Sequence, residues 1–162
     1  FIFGTRQDYK GQILFNGQDT RALSVEQWCE IRTKNISLLP QDMALFPELT
    51  VGQNIDLKNN RTRHKTRQEI MNCLERVGIA EKYDVLACQL SIGQMQRVAL
   101  VRALCQPFDF IFLDEPVSHL DARNNQIVAQ MVSEEAQRQG AGIIATSVGN
   151  HLLLSNAEFV AL

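Results

Sequence analysis

Two adjacent carboxylates, Asp114 and Glu115, close the apolar run Phe110-Ile111-Phe112-Leu113. Four apolar residues without alternation fit a buried strand of a parallel sheet, whose carboxyl end is where open α/β sheets take their ligands. There, one carboxylate can hold Mg²⁺ while its neighbour orients an attacking water. The ordinary alternative for such a pair is a loop start with a helix cap. A second group lies just upstream, in Leu90-Ser91-Ile92-Gly93-Gln94. Ser91 is placed to cap the helix that follows, and Gly93 permits close backbone approach. The free N–H groups of such a helix start, with a Ser hydroxyl, suit a terminal phosphate. A third group, Ser118-His119-Leu120-Asp121, is a polar turn leading into another helix, which Asp121 can cap.

The elements that must position these groups follow from periodicity. After Ser91, Met95, Val98, Ala99, Ala103 and Leu104 recur at helical spacing. Gln12 to Phe15 reads as a short strand turned by Asn16-Gly17, a hairpin signal. Ser24 to Arg32 reads as a short helix with Val25, Trp28 and Ile31 on one face. Asn35 to Pro40 is another apolar strand, followed by Gln41. Val51 to Leu90 is helical in pattern, with Ile70, Leu74 and Val77 on one stripe and Gly78 as a stop. Asp121 to Gln139 carries Ile127, Val128, Met131, Val132 and Ala136 on one face, ended by Gly140. Gly142 to Thr146 is a further buried strand, and Glu158 to Leu162 begins another. Strands alternating with helices give an α/β fold with a mainly parallel sheet.

At 162 residues, 45% apolar and 21% charged, the chain suits one hydrophobic core and is short for two domains. A net charge of −2 offers no whole-chain argument for nucleic acid or an anionic membrane surface. Cys29, Cys73, Cys88 and Cys105 are scattered and read as buried, reduced thiols of a cytosolic protein. No apolar run approaches the ~20 residues needed to cross a bilayer, and no secretory signal is read. Any membrane role therefore needs a partner. The basic cluster Arg61-Thr62-Arg63-His64-Lys65-Thr66-Arg67 lacks interleaved aromatics and reads as a solvated loop, His64 included. The start, Phe1-Ile2-Phe3-Gly4, reads as the tail of a buried helix, so the chain is expected to be incomplete.

In order and spacing these segments resemble the ATPase domain of ATP-binding cassette (ABC) transporters. The signature LSGGQ appears as LSIGQ, with Ile92 in place of the first glycine. Gln96-Arg97-Val98-Ala99 and Arg102-Ala103-Leu104 also match, as do a Walker B strand ending FLDEP and an SxLD D-loop. Phe46-Pro47-Glu48-Leu49-Thr50-Val51 follows Gln41 as it does in the family. The resemblance implies a P-loop NTPase fold, with residues 1–162 an incomplete single domain holding a helical subdomain at about 43–90 and a partial antiparallel β-subdomain. It implies that ATP and Mg²⁺ bind, with Asp114 and Gln41 holding the metal and Glu115 polarising water. Ser91, Gly93 and Gln94 would clasp the terminal phosphate held by a second ATPase domain, and Asp121 would communicate across that dimer. Its partners would be that second domain and a transmembrane permease received in a groove of the helical subdomain. Nucleic acid is not expected. The expected place is cytoplasmic, on the inner face of the cell membrane. The family's phosphate-binding loop, G-x-x-x-x-G-K-[ST], occurs nowhere in the chain and is expected only a few residues before Phe1.

The likeness breaks after Gly142–Thr146, where the family has a histidine that contacts the terminal phosphate. Here Thr146-Ser147-Val148-Gly149-Asn150-His151 puts Val148 at that place. Valine donates no hydrogen bond, so His151 or Ser147 is the expected substitute, with a surface helix position for His151 as the alternative. Two other functions stay open: a soluble ABC ATPase of DNA repair or translation, and a cassette that senses ATP, or serves as a scaffold, without hydrolysing it.

Overall fold

In the computed structural model, which describes residues 1–6, 8–155 and 157–160, two small sheets and a set of helices share the chain. The hairpin β1 (Leu14–Phe15) and β2 (Gln18–Asp19) is antiparallel. Asn16 and Gly17 both have positive φ, 50° and 83°, the conformation that a two-residue turn of this kind needs. The strands β3 (Ile36–Leu39), β4 (Phe110–Asp114) and β5 (Gly142–Thr146) form a parallel sheet in the order β3-β4-β5. Leu39 pairs with Leu113, and Leu113 with Ala145, so the strands' carboxyl ends lie level.

Helices α1 (Val25–Lys34), α2 (Val51–Thr62), α3 (Arg67–Arg76) and α4 (Ile92–Ala103) each open on the same chemistry. Ser24, Thr50, Thr66 and Ser91 accept the backbone N–H of the residue three further on, and the Gln or Glu side chain there returns a bond. Helix α5 (Ala122–Gln139) is capped by Asp121 and ends on Gly140 at φ 65°. Gly78 stops α3 at φ 68°, with its own N–H bonded to Glu75 O and that of Ile79 to Leu74 O.

The main core joins Leu39, Ile111 and Leu113 to Val98, Val101, Val128 and Val132. One face of β4 is thus fully buried under α4 and α5. The other face is only half covered, by a smaller cluster around Trp28, Ile31, Ile36 and Phe112. Hence Phe110 is 44% exposed and Ile144 45%, against the expectation of strands buried on both faces.

Other expectations also give way to tertiary packing. Val25, expected inside, sits in the first turn of α1 and is exposed. Phe1 to Gly4 is a turn closed by the Gly4 N–H on Phe1 O at 2.8 Å, not a buried helix tail. Cys29 and Cys88 are exposed; Cys105 is buried. Ala157 to Val160 forms no strand; the rest of the strand expected there, residues 161–162, lies outside the described residues.

The basic cluster is the largest departure. Arg61, Arg63 and Arg67 are solvated, but Lys65 is buried and His64 nearly so. Their partner is Glu135 of α5, with His64 Nε2 at 2.9 Å, Lys65 Nζ at 2.7 Å and Arg138 Nη2 at 2.5 Å. Burial pushes the Glu135 carboxyl up, but the hydrogen bonds from His64, Arg138 and Lys65 outweigh it and hold the group well below the usual carboxylate range.

Two stability predictions arise here. A depressed carboxylate contributes stability above its unfolded pKa and loses it as pH falls below about 4.3. Glu135→Gln leaves Lys65 buried without an anion, and should cost about 3 kcal/mol at pH 7. Urea denaturation at pH 7 and pH 3 would also show a shallower acid dependence in the variant. Gly52 of α2 is the second case: a Cβ there would stand 2.1 Å from the Tyr83 ring. Gly52→Ala gains about 1 kcal/mol in helix propensity but overpacks by about 1–3 kcal/mol. With the Tyr83 ring stacked 3.5 Å under the Arg67 guanidinium, overpacking should win, lowering the urea midpoint.

Candidate functional site

The level carboxyl ends of β3, β4 and β5 open onto a cleft of about 1050 Å³. Gln41, Asp114, Glu115, Thr146, Ser147, Val148 and His151 line it. Three residues singled out in the sequence for metal and water chemistry, Gln41, Asp114 and Glu115, therefore meet in one place.

Glu115 is held hard. Its φ is 51°, a left-handed conformation costing a non-glycine residue about 1–3 kcal/mol. Its backbone N–H donates to Thr146 O at 3.0 Å, and its carbonyl accepts Gln96 Nε2 at 2.8 Å. Its carboxylate Oε1 accepts the Val148 N–H at 2.6 Å. Asp114 Oδ1 accepts the Thr146 hydroxyl at 2.6 Å. No second partner of the Asp114 carboxylate occurs among the described residues.

A cation there would find the carboxylates of Asp114 and Glu115 and the carboxamide of Gln41, and no cluster of three or more His, Cys, Asp or Glu exists among the described residues. This sparse donor set fits Mg²⁺, which keeps waters and takes phosphate oxygens as its remaining ligands.

Gln41 is exposed, and the loop after it carries strain. Met43 and Ala44 have φ 61° and 45°, two successive left-handed residues without a glycine. Arg102 of α4, 8% exposed, holds them: its guanidinium donates to Met43 O at 2.5 Å and Ala44 O at 2.7 Å.

The remaining candidates, Ser91, Gly93, Gln94 and Asp121, do not line this cleft. Ser91 caps α4, with Gln94 N–H on its Oγ at 3.3 Å and Gln94 Oε1 accepting the Ser91 N–H at 2.9 Å. Gly93 allows a close approach within the chain itself, since a Cβ there would stand 3.0 Å from His119 O. Ile92 is 49% exposed beside them. Asp121 Oδ1 accepts the Asn124 N–H at 2.8 Å, and that bond, first among its causes, draws the carboxyl down.

Sequence reasoning passed over Gln96 and Arg102 as positioning groups. Gln96 was detectable as a polar residue on the stripe that otherwise reads Ala99, Leu100 and Ala103, whereas Arg102 lies off that stripe and carries no such signal. Val148 is 90% exposed, and only its backbone reaches a site residue.

Comparison with known proteins gives the family. The family profile described as "ABC transporter" matches residues 1–118. The lipoprotein-releasing system ATP-binding protein LolD of Shewanella frigidimarina is 31% identical over 140 residues, covering 85% of this chain and 59% of LolD. The thiamine import ATP-binding protein ThiQ of a Ruegeria species is 33% identical over 149 residues, covering 90% of this chain and 62% of ThiQ. The chain thus spans about three fifths of the length of these curated relatives. The dimeric structure of MJ0796, a bacterial ABC transporter cassette, superposes with a TM-score of 0.77 at 23% identity, over 89% of this chain and 66% of that one. On the family match over residues 1–118, with which the α/β fold agrees, this chain belongs to the ABC transporter family.

Proposed function

We propose that the protein containing this chain is the ATP-binding and ATP-hydrolysing subunit of an ABC transporter, driving transport through a separate transmembrane subunit. The observation that carries this reading is the Glu115 carboxylate, fixed by the Val148 N–H at 2.6 Å beside Asp114 and Gln41. Asp114 and Gln41 would hold Mg²⁺, which when bound neutralises charge on the phosphates. Glu115 accepts a proton from, and so orients, the attacking water, while Ser91, Gly93 and Gln94 meet the terminal phosphate held by a second ATPase domain. Asp121, at the head of α5, lies in the turn that would touch that second domain.

Residues 43–90 act as a helical subdomain in this reading. Beside it runs a groove of about 430 Å³ lined by Leu38, Pro40, Phe46 and Leu57 together with Lys58 and Arg102. Burial, then the charges of Arg102 and Arg61, draw the Lys58 ammonium down to about 8. An apolar lining with cations in it suits an amphipathic helix of the transmembrane subunit. Among the described residues no helix is long and apolar enough to cross a membrane, so the reading puts the chain at the cytoplasmic face through that partner.

A second reading, a cassette that binds ATP without turning it over, is favoured by the exposed Val148 and by Ile92 at the signature helix start. One substitution separates the two. In the full-length protein, Glu115→Gln should keep ATP binding and lower turnover at least about 100-fold. ATPase assays with equilibrium nucleotide binding check this. Undiminished turnover in the variant would overturn the hydrolytic role of Glu115, and binding without turnover in the unaltered protein would establish the second reading.

A further inference from the structure

The groove lined by Leu38, Phe46 and Leu57 holds a lysine in surroundings unlike those of Lys34 and Lys65. Lys34 is exposed and paired with Glu30 at 2.9 Å, and Lys65 is buried against Glu135 at 2.7 Å. Lys58 has no carboxylate partner among the described residues. Its Nζ donates instead to the neutral Oε1 of Gln106 at 2.6 Å. Gln106 is 1% exposed, and its Nε2 is committed to Arg32 O at 3.0 Å and Ile36 O at 3.1 Å, so its oxygen is the atom left to face the lysine. A carboxamide oxygen accepts from a neutral amine as well as from an ammonium, so this bond does not require the lysine to be charged.

The rest of the groove adds charge of one sign. Arg32 of α1, Arg61 of α2 and Arg102 of α4 line it with Lys58, and no carboxylate does. Asp42 is felt by Arg102 but lies outside the lining. Desolvation beside other cations is the setting that makes a lysine nucleophilic, because it leaves the amine uncharged near neutral pH. With its ammonium drawn down to about 8, Lys58 is about half unprotonated at that pH. The cations that disfavour an ammonium there favour an anion in its place. A groove of about 430 Å³ leaves room for a small electrophile.

We propose that Lys58 is a site of reversible covalent modification by carbon dioxide, its amine forming a carbamate that Arg61 and Arg102 stabilise. The nitrogen lone pair attacks the carbon of CO₂ and a C–N bond forms. One C–O π bond opens onto oxygen to give the carboxylate, and a proton on nitrogen passes to solvent. Nothing is oxidised or reduced, and no group leaves. The product exchanges a cation for an anion, so the groove acquires the carboxylate that its guanidinium groups lack. The assignment is independent of hydrolysis in the cleft, since Gln41, Asp114 and Glu115 do not line this groove.

The test is made on the full-length protein in carbon-13-labelled bicarbonate at about pH 8. Triethyloxonium ion fixes any carbamate as its ethyl ester before proteolysis and mass spectrometry. Lys58 should carry the labelled ester at an occupancy at least about 10-fold above that of Lys34, as expected for an amine titrating well below the ordinary lysine value of about 10.4. In the intact protein, the carbon-13 carbamate resonance should disappear in Lys58→Arg, which keeps a cationic donor for Gln106. Arg61→Gln should lower the occupancy about 3-fold at fixed bicarbonate, by removing one stabilising charge. A Lys58 that stays unmodified, or is labelled no more than Lys34, overturns the proposal. So does a resonance that persists at full strength in Lys58→Arg, which would put the carbamate on the α-amino group or another lysine. An occupancy unmoved by Arg61→Gln overturns the part given to Arg61.

Discussion

One buried carboxamide holds the cleft end of this fold together. Gln96, 3% exposed on α4, donates to Glu115 O at 2.8 Å and to Ser118 Oγ at 3.2 Å, and accepts the His119 N–H at 3.1 Å. A side chain with two donors and one carbonyl is here satisfied by three groups of one loop. That matters because Glu115 sits in a left-handed conformation that the backbone does not favour. Strain of about 1–3 kcal/mol persists only where the surroundings over-determine it. The bond to the Glu115 carbonyl and the strand pairing to Thr146 together do so, leaving the carboxylate to meet the Val148 N–H.

Helix α4 supports a second strained segment in the same manner. Arg102, nearly two turns along from Gln96, caps the carbonyls of Met43 and Ala44 and so fixes the loop that carries Gln41. Hydrogen bonds to a charged donor are worth about 1.5–3 kcal/mol, enough to offset two left-handed residues in part. A single helix thus sets the wall of the cleft from both sides: through Gln96 it places Glu115, and through Arg102 the segment after Gln41. Losing either would free a strained loop while leaving the sheet intact.

How much of this was legible beforehand depended on the range of the interaction. Local chemistry read well. Asn16-Gly17 made its turn, Gly78 and Gly140 ended their helices, and Ser91 and Asp121 capped theirs. The parallel strands and the meeting of Gln41 with Asp114 and Glu115 followed from apolar runs and from resemblance. What escaped were contacts across long sequence separations. Lys65 and Glu135 lie 70 residues apart, so a run of basic residues read as solvated although half its centre is buried. Phe110 and Ile144 looked like residues covered on both sides, because an apolar run does not tell which face the helices take. Backbone strain at Met43, Ala44 and Glu115 has no signature in residue type at all, since none is a glycine.

The two candidate groups, the cleft and the start of α4, are mechanically one unit. Gly93 lies so close to His119 O that a methyl group would stand 3.0 Å away, and His119 in turn is bonded through its N–H to Gln96. The helix start therefore cannot shift against the turn Ser118–Asp121 without disturbing the Gln96 bonds that fix Glu115. A ligand or second domain pressing on Ser91 and Ile92 would act on the same rigid element that orients the carboxylate. Conversely, a change in what Glu115 contacts would be felt at the helix start through two hydrogen bonds and one close packing contact. Coupling of this kind needs no long pathway; it follows from a glycine that leaves no slack and a glutamine whose every polar atom is already committed.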